Sequence, residues 1–473
     1  MAESSPIQTN FSAGELTPRL NGRVDFAKYY DGASTLKNFE VLVHGGITKR
    51  SGTRHIAEIK TSTGSNSGAR LIPFVFSKTQ AYILEFGHNY IRFYKDEGQI
   101  YSSGTTAYEL TTTYTAAQID DIEYVQSADT MWLVHPDHIP RKLTRTAHTT
   151  WTITDITFVD GPYLATNTTT TTMTPSATGT GSRAFTASAS TFASTDVGRS
   201  IRYYDSATST KFWGWGVITA FTSATVVTVD VKAELAGTTA DTTWRLGAFH
   251  KTPSGNYPTK VTFYEERLFY SNTDTHPNTI WGSMSSDFDT FSPTGLKDDG
   301  DGTVSDDNAV TYTITSDQVN EITSMYGGKH LHVFTKDGTF NIYSGSATTA
   351  LTPSSIQADN ETKDGAANVK VIPASKAVLF IGKNKKRLRE FAYNIDYDSY
   401  TSPDLTVLSE HLGFGLLEDA QFANYPNNIL WCRRGDGALL GMTYDKSQDI
   451  TAWHQHQLGG RVGSATITVS DYA

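Results

Sequence analysis

The apolar positions of this chain fall in short runs that alternate with polar ones, and turn residues end each run. Residues 418–457 show the pattern at its densest. Ala420-Gln421-Phe422 is closed by Asn424-Tyr425-Pro426-Asn427-Asn428, and residues 429–433 by Arg434-Gly435-Asp436-Gly437. Residues 439–444 are closed by Asp445-Lys446-Ser447, and a fourth run, 451–456, follows. Runs this short, rich in aromatic and branched side chains and punctuated by Gly, Asn and Asp, predict strands in hairpins. Four antiparallel strands in about 40 residues have the size of one β-propeller blade.

The same shape recurs at 72–101, 119–156, 261–283, 322–343 and 369–393. Each has an apolar central run, such as Tyr82-Ile83-Leu84-Glu85-Phe86 or Ala377-Val378-Leu379-Phe380-Ile381. The spacing is irregular and no Trp-Asp signature appears, so WD40 and kelch repeats gain no support. The expectation is an all-β chain: a β-propeller of about six blades, carried by residues 55–164 and 250–473. Residues 165–249 interrupt it. A threonine tract at 168–172 reads as a linker, and so does Thr252-Pro253-Ser254-Gly255-Asn256. Between them, period-two alternation predicts a small antiparallel sandwich or barrel, inserted in a loop and projecting sideways. Residues 1–54 read as an extended N-terminal arm. Gly and Pro break any long helix there, although 33–39 has the length for two helical turns.

Composition agrees with sheet. Of 473 residues, 19% are charged and 12% aromatic, too little charge for a coiled coil. The net charge of −10 excludes a molecule that binds nucleic acid over its whole surface, but leaves room for a local basic patch. The single cysteine, Cys432, excludes an internal disulfide and reads as a buried, inert thiol. No apolar run approaches membrane-spanning length, so no stable membrane insertion is expected. Met1-Ala2-Glu3-Ser4-Ser5 lacks the charged-then-apolar pattern of a secretory signal. The expected location is a cytosol unless a route other than secretion exports the protein.

Chemistry is sparse. No HExxH, GxSxG or CxxC occurs, and the 13 histidines are scattered. His454 and His456 share a strand face, but a metal would need a third ligand from elsewhere. Glu265-Glu266 and Asp120-Asp121, read as neighbours on strands, point to opposite faces and make no acid/base pair. The acidic stretch 297–308, KDDGDGTVSDDN, lacks the EF-hand offsets and reads as a solvated loop or a calcium loop. Phe212, Trp213 and Trp215 are either a sugar-stacking platform or core and subunit-contact residues. Lys383, Lys385, Lys386, Arg387 and Arg389 occupy one hairpin tip, either as a solvated turn or as a contact for phosphate or an acidic neighbour. Gly45-Gly46 beside Lys49-Arg50 lacks the spacing of a phosphate loop. The expectation is no catalytic site, no metal and no cofactor, hence not an enzyme.

Longer strings carry a resemblance. FSAGELTPRLNGRVD, KYYDGASTLKNF and HGGITKRSGTR open the chain. WGWGVITAFTSATVVTVDV, TIWGSMSSDFDTFSP, REFAYNIDYDSYTSPDLTVLSEHL and GMTYDKSQDITAWHQHQLGG follow. Together they resemble the tail nozzle proteins of short-tailed bacteriophages, also called tail tubular protein B or packaged-DNA stabilisation proteins. The resemblance spans nearly the whole chain. It departs at the end, because similar proteins run on well past Gly460. It implies a structural virion protein of the phage tail, assembled in the host cytoplasm. It also implies a ring of six copies below the portal and its adaptor, a mount for a fibre, spike or needle, and a wall around the channel through which genomic DNA leaves. On that reading the arm residues Phe11, Arg19, Arg23, Tyr29, Tyr30, Phe39, Lys49 and Arg50 are candidate contacts with a neighbouring subunit or the adaptor. A host-receptor protein that binds glycans through the inserted domain, and a propeller glycosidase with carboxylates at its central opening, are the alternatives.

Overall fold

The computed structural model describes residues 8–61, 63–77, 79–251, 255–297, 302–315, 320–345 and 349–458. Six antiparallel sheets, each a meander in chain order, form a β-propeller. Blade 1 is built on strands Arg70–Ser77, Gln80–Gly87, Tyr90–Lys95 and Glu109–Thr111. Blade 2 has Glu123–Ser127, Thr130–His135, His138–Ala147 and Thr150–Asp155. Blade 3 has Lys260–Tyr264, Arg267–Ser271, Thr279–Gly282 and Val310–Thr313, and blade 4 has Ile322–Gly327, Leu331–Thr335, Thr339–Ser344 and Ile356–Thr362. Blade 5 has Ile372–Ala374, Ala377–Ile381, Leu388–Asn394 and Ser399–Thr401. Blade 6 has Leu417–Ala423, Ile429–Arg434, Leu439–Asp445 and Ile450–His456.

The apolar residues pack between successive blades. Phe74, Leu84 and Phe93 of blade 1 meet Met131, Leu133 and Trp151 of blade 2. Trp132 and Val134 on the other face of blade 2 meet Val261, Leu268 and Trp281 of blade 3. Similar cores join blades 3 and 4, 4 and 5, and 5 and 6. Period-two strands with two apolar faces are what this arrangement demands, since a blade is covered on both sides. Each fully buried Leu, Ile or Phe contributes about 1.5–3 kcal/mol.

The junction of blade 6 with blade 1 is built differently. There the arm supplies the apolar layer: Leu36 and Val41 pack on Ile450 and Ala452, with Phe11, Val43 and Ile47 beside them. Gly14–Glu15 pairs in parallel with Gly32–Ala33, and Lys37 bridges Gln455 along the last strand of blade 6. Gly14 has φ +69, and a Cβ there would overlap the Trp453 backbone, so only glycine permits this approach. Residues 33–39 are not helical; this stretch runs alongside blade 6, which answers its backbone groups instead.

Residues 173–246 form one six-stranded sheet, in the order Met173–Pro175, Gly181–Ala187, Val226–Ala233, Trp213–Ser223, Ser200–Tyr204, Trp244–Leu246. A bridge between Met173 and Asp241 brings its two edges together, and Phe185, Ile201, Tyr203, Val227 and Val229 fill the inside. This is a small barrel rather than two stacked sheets. The threonine tract is not a free linker: the Asn167 amide donates to the carbonyls of Thr169, Thr171 and Thr242. Of the other expected linker, 252–256, residues 252–254 lie outside the described residues, while Asn256 is buried, bridges His250 and donates to the Ala248 carbonyl at 3.2 Å, so its end is no free linker either.

Candidate functional site

The first strands of the blades converge at one end of the propeller axis. A cavity of ≈ 210 Å³ opens there, lined by charged residues of five blades or the turns that lead into them. Arg70, Lys260, Lys370, Lys385 and Arg433 are its cations, and Asp120, Asp121, Glu123, Glu418 and Asp419 its carboxylates. Asp120 and Asp121 sit in a short 3-10 turn, Ile119–Asp121, not on a strand. Both therefore reach the same cavity, contrary to the opposite-face expectation. Glu265 and Glu266 are likewise turn residues, with φ +44 and +58, and lie elsewhere.

The cavity is laced from side to side. The Lys370 amine, just before blade 5, donates to the Tyr124 carbonyl of blade 2 at 2.6 Å and lies 3.6 Å from that tyrosine's ring centroid. Lys260 of blade 3 donates to Asn368 at 2.6 Å, and Lys260 and Lys370 each stand 3.8 Å from Glu123. Blades 2 and 5 face each other across the axis, so these contacts close it. Arg70 donates to the carbonyls of Ile119, Asp120 and Ile122, and Arg433 pairs with Glu418 at 2.9 Å. Burial pushes the amines of Lys260 and Lys370 below the ordinary lysine range, while Glu123 pulls them back. Loss of solvent pushes the Asp419 carboxyl up, opposed by Arg70 and Arg433. Five cations set against five carboxylates make a stapling network, with no excess of either sign to draw in an anion or a cation.

The basic hairpin flanks this cavity, and three of its cations are answered within the chain. Lys383 pairs with Asp337 at 2.5 Å, Arg387 with Asp404 at 2.7 Å and Arg389 with Asp364 at 2.9 Å. The clustering thus needs no outside partner. Lys385 turns toward the cavity with φ +57, and Lys386 is exposed. Asp298, Asp299 and Asp301 of the acidic stretch lie outside the described residues. Lys297 at its start pairs with Glu234 at 2.9 Å.

Phe212, Trp213 and Trp215 are buried, and the guanidinium groups of Arg202 and Arg245 lie 5.2 and 5.3 Å from the Trp213 ring. They present no open stacking face. His454 and His456 touch, Nδ1 to Nε2 at 2.6 Å, and no cluster of three metal-ligating groups occurs among the described residues. Cys432 is fully buried and its thiol is pushed up by burial. No helix is long and apolar enough to cross a membrane among the described residues.

The arm residues divide into anchors and exposed groups. Phe11 joins the core on blade 6, and the Arg50 backbone donates to the Asn38 carbonyl at 3.0 Å. Arg19 pairs with Glu410 at 2.9 Å and Arg23 with Asp25 at 2.8 Å. Tyr29 and Tyr30 stack edge to face at 5.6 Å, with Tyr30 64% exposed; Phe39 and Lys49 are also exposed. Sequence reasoning missed a second exposed group. Ile395 and Tyr397 on the tip between the last two strands of blade 5, and Tyr425 on the first turn of blade 6, are 82%, 73% and 87% exposed. Strand order places these turns at the end opposite the central cavity. Their apolar character was legible in the sequence, but their exposure was not.

No family model matches the chain, and no curated protein matches it. Among solved structures, BamB from Moraxella catarrhalis aligns at TM-score 0.36 with 6% identity, over 82% of this chain and 88% of that one. AztD from Citrobacter koseri aligns at 0.36 with 9% identity, over 82% and 86%. A putative 6-phosphogluconolactonase from Bacteroides uniformis aligns at 0.33 with 9% identity, over 80% and 91%. Scores this low carry no argument about what this chain does.

Proposed function

We propose that this chain is a structural protein of a short-tailed phage tail, one of several copies that form the nozzle ring around the DNA exit channel. The observation that carries the reading is the closed axis. Lys370 bonded to Tyr124 across the centre leaves the propeller no bore of its own, so it suits a wall element and DNA would pass between copies. The arm supports the same reading, because Leu36 and Val41 anchor it while Val24 and Tyr30 stand 60% and 64% exposed. Rigid blades with short, covered edges make good wall material. The tail adaptor and a fibre, spike or needle protein are the proposed neighbours, and genomic DNA the passing cargo, touched without sequence preference. The net charge of −10 favours passage over retention.

Class-averaged electron micrographs of the protein with its adaptor test this directly. Rings support it; monomers both alone and with the adaptor would end it. One observation bears on the glycosidase alternative: five carboxylates line the cavity at one end of the axis. Cleavage of host envelope polysaccharide, abolished by Asp120→Asn or Asp121→Asn, would favour that alternative.

A further inference from the structure

A cavity of ≈ 420 Å³ lies where the inserted barrel meets blade 3. Tyr163, Trp281 and Phe291, all buried, give it aromatic walls, and Thr311 and Thr313 stand exposed at its rim. Arg245, on the barrel strand Trp244–Leu246, is the one arginine or lysine that lines it, and no carboxylate does. Unlike the central cavity, this one carries a single sign of charge.

That charge is unanswered. Arg245 sits directly opposite Arg202 on the neighbouring antiparallel strand, which sets two like charges side by side. Asp160 answers Arg202 at 3.3 Å and also accepts from Tyr163 and Ser292. Half-buried Arg245 has no such partner. Its Nε donates to the Thr166 hydroxyl at 2.8 Å, and its guanidinium lies 5.3 Å from the Trp213 ring centroid. Among the described residues no carboxylate pairs with it and its two terminal nitrogens have no hydrogen bond. Burial and the Arg202 charge push its pKa down, against the pull of Tyr163 and Asp160. An arginine does not resolve such a conflict by losing its proton, whereas a bound anion does resolve it.

We propose that this cavity binds a small-molecule carboxylate with an apolar, aromatic body, its acid group held by the terminal nitrogens of Arg245 and its body between Tyr163, Trp281 and Phe291. Three features select that class. The two free nitrogens at the end of a planar fork match the two oxygens of a carboxylate. A single positive charge, with the Asp160 carboxylate acting on it, suits a monoanion better than a phosphate dianion. The walls offer contact area rather than hydrogen bonds, because their polar atoms are already used: Trp281 Nε1 donates to the Tyr163 carbonyl at 3.1 Å and the Tyr163 hydroxyl to Asp160 at 2.7 Å. The volume also falls in the range of small-ligand sites. Arg245 belongs to the barrel and Trp281 to blade 3, so a bound ligand ties the two together.

Calorimetric titration of the full chain with benzoate, phenylacetate and indole-3-acetate tests the proposal. At least one of these acids should bind saturably and raise the melting temperature. Its neutral amide should do neither, and phenyl phosphate should bind more weakly. Arg245→Gln should weaken binding by about 10- to 100-fold, the worth of hydrogen bonds to a charged group. Thr311→Trp, at an exposed rim position, should fill the mouth and weaken binding without touching the arginine, and it decides the matter if Arg245→Gln fails to fold. No saturable binding by any of the three acids, equal binding by acid and amide, or unchanged binding in either folded variant would overturn the proposal. So would tighter binding of phenyl phosphate than of every acid.

Discussion

Arg202 of the inserted barrel lies 3.3 Å from Asp160 of the propeller, and both side chains are almost wholly buried. Asp160 also accepts from Tyr163 at 2.7 Å and Ser292 at 2.5 Å, while Arg202 donates to the Thr294 hydroxyl and carbonyl. The barrel is thus riveted to blade 3 rather than hung from two linkers. Removing one member of a buried pair strands the other charge, at about 3–5 kcal/mol. Arg202→Met should therefore lower stability by that order in a urea melt, and Asp160→Asn by a similar amount. Excising 165–249 should destabilise the propeller for the same reason, and adding Asp160→Asn to the excision should recover part of the loss.

The arm holds blade 6 through Glu15. This carboxylate is 2% exposed and accepts from the Leu36 amide at 2.7 Å, His411 at 3.0 Å and Gln455 at 2.6 Å. Glu15→Ala should cost about 2–4 kcal/mol, because three donors lose one acceptor. Tyr30→Ala, at a largely exposed side chain whose ring meets Tyr29 edge to face, should stay within about 0.5 kcal/mol in the same melt. If Tyr30 contacts a neighbouring copy, that substitution should still reduce the ring fraction seen by light scattering.

Acid should loosen blade 6. Burial pushes His454 down to about 3 and His456 to about 4, from an ordinary imidazole value of 6.5. The folded state holds both neutral, so their contribution is complete above pH 6.5 and is lost as pH falls toward 4. The melting temperature should fall over that window. His454→Gln should flatten part of the slope while lowering stability at neutral pH.

The basic hairpin should separate structural from surface charge. Arg389→Ser leaves Asp364 half-buried beside Ser402 and should cost about 1 kcal/mol. Lys386→Ser should leave the melt unchanged, since the residue is exposed and no ion pair to it occurs among the described residues. A salt-sensitive loss of rings with Lys386→Ser would identify an acidic partner on a neighbouring copy. Unchanged rings with altered genome retention would identify phosphate.

The chain by itself determined the strands and their grouping. Tyr82-Ile83-Leu84 and Leu430-Trp431-Cys432 are strand-like because of their neighbours in sequence, and Gly435-Asp436-Gly437 turns the chain wherever it lies. Six modules, the inserted sheet and the separate arm were legible for that reason. Other features depended on residues far apart in sequence. The fourth strand of blade 3, Val310–Thr313, pairs with Thr279–Gly282 across a long loop and carries little apolar pattern of its own. Glu265-Glu266 became a turn because the strands on either side pair tightly, Tyr264 opposite Arg267. Asp120 and Asp121 joined one cavity because the turn before blade 2 points at the axis. Lys383, Arg387 and Arg389 found Asp337, Asp404 and Asp364 on neighbouring turns that only the ring of blades brings together. Strand formation is a local preference, whereas burial and charge pairing depend on what the rest of the chain places alongside, and only the tertiary structure decides that.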